Sequence, residues 1–441
     1  MAKSLTQQAS NEALNLLGDI IEAESTSATF ACGGTLYRSV SVRWDTEDSA
    51  TSKITLPEHD AGALDKLITD CAPASFGLDG KDVLDESYRK ASKLDNTQFS
   101  TDFCPHASGI IDTIAQILVP SVTGSSLGIR SVRAMLYKLN IYSGPSGKFK
   151  AHVDTPRAEH QVASLVVCLP CHHQGGALLV RHKGNETCFD WSEVADKIQW
   201  AAFYSDCEHE VMKVTSGNRI TLTYNLFVTQ HSENLRSLSS MLDLTTLPLY
   251  GHVKELLENP GFMSEGGIIG IYCTHVYAHT NEDAICLLPK ALKGIDMAIH
   301  QVFQSLGMVV HLRPVITTPS EKDYDVNDEK VNLVGTDLHP LQASNEYDGW
   351  EYNQAYGITW ITEPKHEEPA SARLAYGNAA SLSVLYSSAA LLVIVPPVRD
   401  RFQGDTAAAG PERSAKKQKL DVEAGRAYIE EEVYCIADEE Q

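Results

Sequence analysis

The chain reads VRAMLYKLNIYSGPSGKFKAHVDT from Val132 to Thr155, two β-type runs joined by a turn of Gly, Ser and Pro. Further runs of the same kind follow and are separated by polar or Gly- and Pro-containing segments. They read ASLVVCLP (163–170), GALLVRH (176–182), WAAFYSD (200–206), HEVMKVT (209–215) and RITLTYNLFV (219–228). Seven short predicted strands within about a hundred residues are typical of a β-sandwich or jelly roll.

The sequence on either side of this block has mixed patterns. Apolar residues at helical spacing between Leu14 and Ile21 predict an N-terminal helix, and LKGIDMAIHQVFQSL (292–306) and SAALLVIVPP (388–397) predict helices and strands beyond the block. We therefore predict an α+β fold with a mainly β core, which is a double-stranded β-helix with N-terminal helical support and a C-terminal α/β addition. The predicted regions are a supporting region (1–130), the jelly-roll core (131–229), an α/β region (230–400) and a disordered acidic tail (401–441).

Charge and composition exclude several classes of function. The 58 acidic and 36 basic residues give a formal charge of −22, which would repel a phosphate backbone and disfavours nucleic acid or a polyanionic substrate. Apolar residues make up 43% of the chain, as expected for a globular protein. The longest apolar run, 389–395, is far shorter than the roughly 20 residues of a membrane span, so no membrane partner is predicted.

Cysteine usage and the chain ends bear on the compartment. Ten cysteines are spread along the chain without a dense framework, and the N-terminus lacks the pattern of a secretory signal. We therefore expect reduced thiols and a cytoplasmic and/or nuclear location. The run SAKKQKLD (414–421) resembles a short nuclear-import signal.

One constellation within the β-rich block has the residue types of a metal site. His152 and Asp154 are two apart on a predicted strand, so their side chains project from the same face. His209, on another predicted strand, is the best candidate for a third ligand. Two histidines and one carboxylate form the facial triad of non-haem Fe(II) oxygenases, which leaves open positions on the ion for cosubstrate and dioxygen.

A basic residue follows the distal histidine at a spacing that suits an anionic cosubstrate. Arg219 lies ten residues after His209, and Thr221 shares its strand face. A guanidinium group binds a carboxylate in bidentate fashion, so Arg219, helped by the Thr221 hydroxyl, could anchor the distal carboxylate of a 2-oxo acid that chelates the iron. Tyr142, on the strand before His152, offers a further hydrogen-bond donor.

These motifs together resemble the prolyl 4-hydroxylase-type branch of the 2-oxoglutarate and Fe(II)-dependent dioxygenases, over roughly 131–227. The resemblance implies that His152, Asp154 and His209 bind Fe(II) and that Arg219 binds the cosubstrate 2-oxoglutarate, with ascorbate as a supporting reductant. The Arg-x-Thr form at 219–221 differs from the Lys of collagen-type members, which loosens any inference of collagen as substrate. PASFGLDGKDVLDESYRKASKLD (73–95) and AYGNAASLSVLY (375–386) also resemble a large, mostly uncharacterised fungal group of these oxygenases.

The resemblance implies a reaction but leaves its substrate open. Related halogenases replace the metal-binding carboxylate with a small residue, so Asp154 favours hydroxylation of a C–H bond. The substrate could be a prolyl or other protein residue or a small metabolite, and the sequence does not indicate the oligomeric state. An alternative of a different class is a non-catalytic jelly-roll interaction module with a vestigial metal site.

Two other motifs have spacings that invite a metal site. Cys168 and Cys171 form a C-x-x-C pair, but no second pair completes a zinc site, so we interpret them as incidental thiols in a loop. His275 and His279 are four apart without a nearby carboxylate motif, and we expect a structural role for them. Trp191, Trp200, Phe203 and Tyr204 are predicted to lie in the core.

Overall fold

We analysed the chain in a computed structural model. The structure describes residues 2–46, 50–57, 61–78, 81–120, 130–192, 196–230, 243–278, 288–289, 291–318, 331–335, 352–354, 357–364, 376–377 and 386–401. The predicted tail and its import-like run lie almost wholly outside these residues, as does His279. None of the described helices combines the length and the apolar character needed to cross a membrane.

The described part of the chain is rich in short strands. The helices are α1 (Ala2–Ser27), α2 (Ala61–Asp70), α3 (Ile110–Leu118), α4 (Pro248–Glu258), α5 (Gly294–Ser305) and α6 (Val398–Arg401). The strands up to the β-rich block are β1 (Ala31–Leu36), β2 (Val40–Asp45), β3 (Thr51–Leu56), β4 (Ala72–Pro73), β5 (Phe76–Leu78), β6 (Lys81–Val83), β7 (Arg89–Lys90), β8 (Ser92–Asp95) and β9 (Phe99–Thr101). Those of the block are β10 (Arg130–Ser143), β11 (Lys148–His152), β12 (Gln161–Cys168), β13 (His173–Gly175), β14 (Leu178–His182), β15 (Asn185–Phe189), β16 (Ile198–Tyr204), β17 (Glu208–Val211) and β18 (Val214–Gln230). The later strands are β19 (Gly267–Tyr272), β20 (Tyr277–Ala278), β21 (Val309–Thr318), β22 (Val331–Gly335), β23 (Tyr352–Gln354), β24 (Ile358–Trp360), β25 (Tyr376–Gly377) and β26 (Tyr386–Val395).

The β-rich block forms the predicted double-stranded β-helix. One sheet contains the neighbouring strands β16-β12-β18-β10, and the other has the order β15-β14-β17-β11. Most successive strands of the block thus lie in alternate sheets, and the hairpin of β14 and β15 is the exception, as in a jelly roll. The core of the block is apolar, and Leu165, Val180 and Leu222 are fully buried in it. The mainly β fold class is confirmed.

Strand β15 was missed by the sequence pattern for a physical reason. Its sequence, NETCF, contains few apolar residues, and its burial alternates between intermediate and exposed without a buried position. It is an edge strand that pairs only with β14 in its sheet, so no core contact requires the apolar alternation on which strand prediction depends.

The N-terminal region extends the same sheets. Strand β1 pairs with β16 and β8 pairs with β10, which widens the larger sheet at both edges. In the smaller sheet, β7 pairs with β11 through Arg89 and Phe149. Residues far from the β-rich block in sequence are thereby brought against its pocket.

A second core lies in the C-terminal region. Its sheet has the order β23-β22-β21-β26-β19-β24, and α4 and α5 pack against it. Helix α1 contributes Leu14, Leu17 and Ile21 to this core and not to that of the jelly roll. The N-terminal helix therefore supports the C-terminal region, whereas the predicted region boundaries stay a prediction.

Candidate active site

The structure brings His152, Asp154 and His209 together. The two histidines are register partners on β11 and β17, with ring centroids 4.2 Å apart, and His209 Nε2 lies 3.6 Å from Asp154 Oδ1. One potential ligand atom from each residue lies within 4.8 Å of the other two. The spacing predicted from the sequence thus places these three side chains around one point.

Backbone carbonyl groups orient both imidazole rings in the same way. His152 Nδ1 lies 2.9 Å from Lys150 O, and His209 Nδ1 lies 3.1 Å from Cys207 O. A carbonyl oxygen can only accept, so each Nδ1 carries the proton and each Nε2 keeps its lone pair. This is the tautomer that a metal-binding histidine needs.

The carboxylate is also held by the protein. The Ser164 hydroxyl, which is fully buried on β12, donates a hydrogen bond to Asp154 Oδ2. That bond engages Oδ2, whereas Oδ1 is the oxygen that faces His209. The arrangement is typical of a metal ligand fixed by an outer hydrogen bond.

Burial keeps His152 neutral. His152 is 5% exposed, and its ring stacks on Phe149 with centroids 3.6 Å apart. Burial and the neighbouring His209 lower the pKa of His152 well below its usual range. A neutral imidazole is the form that binds metal, so the donor set fits a divalent ion with nitrogen and oxygen ligands.

Arg219 lies in the same pocket and fits an anionic ligand. It is 1% exposed, and none of its guanidinium nitrogens has a hydrogen-bond partner among the described residues. Its guanidinium carbon lies 5.6 Å from the Tyr142 ring centroid and 5.1 Å from that of Trp191. Gly176 makes room for the stem, because a Cβ there would lie 2.9 Å from Arg219 Cδ. A buried unpaired charge is costly, and a carboxylate would satisfy it.

The two predicted helper residues lie beside Arg219. Tyr142 is its register partner across β10 and β18, and both Tyr142 and Thr221 line the pocket. The Thr221 hydroxyl lies 3.5 Å from Asn140 O, so its own hydrogen bond is directed at the backbone. Their roles toward the cosubstrate stay predictions.

Several lining residues were not identified from the sequence. The full lining is Arg89, Tyr137, Lys138, Asn140, Tyr142, Phe149, His152, Asp154, Val166, Leu178, His209, Val211, Arg219, Thr221 and Thr223. Period-two alternation from Tyr142 and Thr221 could have identified Asn140 and Thr223. No sequence signal marks Arg89, which belongs to the separate strand β7. Trp191, predicted as core, is buried as expected and also flanks Arg219.

The other candidate motifs lie apart from this pocket. Among the described residues, no cluster with metal-ligand geometry includes Cys168 or Cys171. His275 does join such a cluster with His182 and Asp206, but Lys293 Nζ already lies 2.9 Å from Asp206 Oδ1. The ammonium group of Lys293 thus already pairs with the Asp206 carboxylate. The cluster is an ion-pair network that joins the jelly roll to the C-terminal region.

Comparison with solved structures gives distant likenesses. A prolyl-4-hydroxylase from Pseudomonas putida is 16% identical, with 49% of this chain and 100% of that chain covered and a TM-score of 0.27. A prolyl hydroxylase from Trichoplax adhaerens, solved with a hypoxia inducible factor peptide fragment, is 14% identical, with coverages of 52% and 96% and a TM-score of 0.28. A 2OG-Fe(II) oxygenase family oxidoreductase from Burkholderia pseudomallei is 15% identical, with coverages of 38% and 79% and a TM-score of 0.22. No curated protein matches the chain.

The family assignment comes from the sequence of the β-rich block. The profile of the 2OG-Fe(II) oxygenase superfamily matches residues 137–227, which contain the triad, Arg219 and all the strands from β11 to β17. Fe(II) and 2-oxoglutarate are the metal and the cosubstrate of that family, and the donor set and the buried guanidinium fit them. Residues 137–227 therefore match the 2OG-Fe(II) oxygenase superfamily.

Proposed function

We propose that this chain hydroxylates a C–H bond at the expense of 2-oxoglutarate and dioxygen, which become succinate and CO2. One oxygen atom enters the substrate and the other enters succinate. His152, Asp154 and His209 would hold Fe(II), and Arg219 would bind the distal carboxylate of 2-oxoglutarate. When bound, the iron supplies the activation of dioxygen, which no side chain can supply by itself.

The main support for this proposal is that one pocket contains both a set of metal-ligand side chains and a buried arginine, and each of them needs a further group as its partner. The triad offers three ligand atoms on one side of a point, and Arg219 offers a buried guanidinium with unpaired nitrogens. A vestigial site would have no need to maintain both. A ligand that reaches from a metal to an arginine must have two anionic or chelating ends, as 2-oxoglutarate has.

The surrounding residues have definite tasks in such a reaction. Phe149 and Phe203 pack on the two histidine rings, with centroids 3.6 and 4.6 Å away, and exclude water from them. Ser164 fixes the Asp154 carboxylate. Because Asp154 occupies the position that halogenases leave open for chloride, hydroxylation is the outcome that this site supports.

The test is succinate formation by purified protein with Fe(II), ascorbate and 2-oxoglutarate. We expect slow uncoupled turnover that is lost in His152→Ala and Asp154→Ala and kept in His172→Ala, which removes an exposed histidine outside the pocket. Mn(II) affinity, measured by calorimetry, should fall in the same two variants. Equal turnover in all the proteins would exclude the metal assignment, and failure of the wild type to bind Mn(II) would favour a non-catalytic module.

The substrate is a protein residue, prolyl for example, or a small metabolite. Incubation of the reconstituted enzyme with cell extract and labelled dioxygen, followed by mass spectrometry of the protein and small-molecule fractions, would distinguish them. The cytoplasmic and/or nuclear location stays a prediction from the sequence, and microscopy of a fluorescent fusion would test it.

A further inference from the structure

Besides Arg219, the cationic side chains Arg89 and Lys138 line the pocket, and Arg157 adjoins them. Strands β10 and β18 form one wall, and their facing residues are register partners. From the Arg219 end outward, the pairs are Tyr142 with Arg219, Asn140 with Thr221 and Lys138 with Thr223. Four residues of a strand span about 13 Å, so Lys138 stands well apart from the Arg219 anchor.

Arg89 is the most deeply buried member of this group. Its side chain is 4% exposed, and its two terminal nitrogens donate to Ser75 O at 2.6 Å and to Asn140 Oδ1 at 2.8 Å. The third nitrogen, Nε, is buried without a hydrogen-bond partner in the described part of the chain. Both partners of Arg89 are uncharged, so no described carboxylate neutralises it.

Arg89 is also close to the metal-binding triad. Its guanidinium carbon lies 4.4 Å from the centroid of Phe149, and the Phe149 ring stacks on His152 at 3.6 Å. The Phe149 ring thus contacts both Arg89 and His152, a member of the triad.

Lys138 adds a second buried charge that is poorly compensated. Its side chain is 9% exposed, and the nearest carboxylate oxygen, on Asp95, is 3.9 Å from Nζ. That carboxylate is shared with Lys93, which lies 2.8 Å from it. Burial and the positive charges of Lys93 and Arg89 lower the pKa of Lys138 to about 8.

Arg157 completes the group through Tyr137. The ladder register shifts between Leu136 and Lys138, which makes Tyr137 the extra residue of a bulge, and bulges commonly redirect a side chain. Arg157 donates to the Tyr137 hydroxyl at 2.6 Å, and Lys138 Nζ lies 4.5 Å from the centroid of the same ring. Tyr137 thus links an exposed arginine to the buried lysine.

We propose that Arg89, Lys138 and Arg157 form an anion subsite that binds a carboxylate group of the substrate to be hydroxylated. The proposal rests on the proposed function, in which Arg219 is already engaged by 2-oxoglutarate. The cluster concentrates positive charge in a chain of net charge −22, and a planar guanidinium suits a carboxylate. Asp95, beside Lys138, would oppose a dianion, so a carboxylate fits better than a phosphate. The subsite therefore selects acids over neutral analogues.

The test is calorimetric titration of the full chain with matched acids and amides. The probes are N-acetylproline, N-acetylleucine and benzoate, each against its amide, with inorganic phosphate as a separate ligand. One titration uses wild-type protein with Mn(II) and saturating 2-oxoglutarate, and another uses Arg219→Gln without 2-oxoglutarate. We expect at least one acid to bind about tenfold more tightly than its amide in both proteins, the factor for one charge-assisted hydrogen bond.

Substitutions within the cluster test whether its side chains cause the preference for acids over amides. Lys138→Met and Arg157→Gln should abolish it, and Arg157 is exposed, so its replacement leaves the fold intact. Lys150→Met should keep it, because the exposed Lys150 lies over the ring of Tyr88 and not over that of Tyr137, which Arg157 contacts.

Four results would overturn the proposal: equal binding of acids and amides, no saturable binding of any acid, loss of the preference in Arg219→Gln, or binding of phosphate alone. Failure of the wild type to bind 2-oxoglutarate would instead refute the proposed function. The Arg219→Gln titration would still test the subsite, because it is done without 2-oxoglutarate.

Discussion

His152 and His209 lie directly opposite each other on the antiparallel strands β11 and β17. Each ring donates its Nδ1 proton to the carbonyl oxygen two residues earlier in the chain, so both Nε2 atoms face the same space. A slip of one residue in this register would turn one of the two side chains to the other face of the sheet. The metal site is therefore a property of the strand pairing as much as of the three residues.

The Ser164 hydroxyl should matter for metal affinity although it is not a ligand. Ser164→Ala removes the hydrogen bond that fixes Asp154 Oδ2, and loss of such an outer partner typically weakens metal binding about 10- to 100-fold. Calorimetry with Mn(II) measures the change. The control is Ser41→Ala, another buried serine, whose hydroxyl contacts Thr55 in a different sheet. Equal Mn(II) affinities in the two variants would contradict a positioning role for Ser164.

Arg219 should determine the affinity for 2-oxoglutarate and leave metal binding unchanged. Arg219→Gln removes the buried charge, and we expect the KM for 2-oxoglutarate to rise about 100-fold, the loss of roughly two charge-assisted hydrogen bonds. Arg219→Lys keeps the charge without the fork and should be intermediate.

The control for Arg219 is Arg181→Gln. Arg181 forms ion pairs with Glu186 and Glu210 at the surface, so its loss should not change the KM. A similar KM in the Arg219 and Arg181 variants would mean that the cosubstrate is bound elsewhere.

The sequence predicted the parts of the site that lie within one strand or one motif. His152 and Asp154 are two residues apart, and the prediction that they face one point holds, although β11 ends at His152 and Asp154 follows it outside the strand. Arg89 could not be predicted, because the pairing of β7 with β11 joins residues that are 60 apart in sequence. The same limit applies to His275, for which a structural role was expected: its partner Asp206 belongs to the jelly roll, 69 residues earlier. A sequence pattern shows which residues share one face of a strand. It does not show which distant elements come into contact, because those contacts depend on the whole fold.

The ion pair of Asp206 and Lys293 should stabilise the junction between the jelly roll and the C-terminal region. Both side chains are 2% exposed, with 2.9 Å between Asp206 Oδ1 and Lys293 Nζ. Burial by itself would raise the pKa of Asp206, but Lys293 and His275 hold it well below its usual range. Lys293→Met leaves a buried carboxylate without its cation, and we expect the free energy of unfolding in urea to fall by about 3–5 kcal/mol.

A double-mutant cycle separates this pairing from simple loss of packing. Asp206→Asn with Lys293→Met should cost less than the sum of the two single changes, because neither charge is then buried alone. Lys254→Met, which breaks an exposed pair with Glu258, should change stability by less than about 1 kcal/mol. Strict additivity in the cycle would show that the two charges do not stabilise each other.

His182 should make the stability of the protein depend on pH in the mildly acidic range. Its ring stacks on His275 with centroids 4.3 Å apart and 12° between planes. Burial and His275 lower the pKa of His182 from 6.5 to about 3. Between these values the unfolded chain binds a proton that the folded chain does not, so stability is lost as the pH falls below about 6.5, by up to about 1.4 kcal/mol per pH unit.

Replacing His182 by an aromatic residue that cannot bind a proton measures how much of the pH dependence comes from His182. His182→Phe keeps a ring against His275, so unfolding should take up about one proton fewer between pH 6 and 4, measured from urea midpoints of the metal-free protein. His172→Phe changes an exposed histidine and should leave the slope of stability against pH as in the wild type. If His182→Phe also kept the wild-type slope, His182 would have to accept its proton in the folded protein, and the buried stack with His275 would then tolerate a charge.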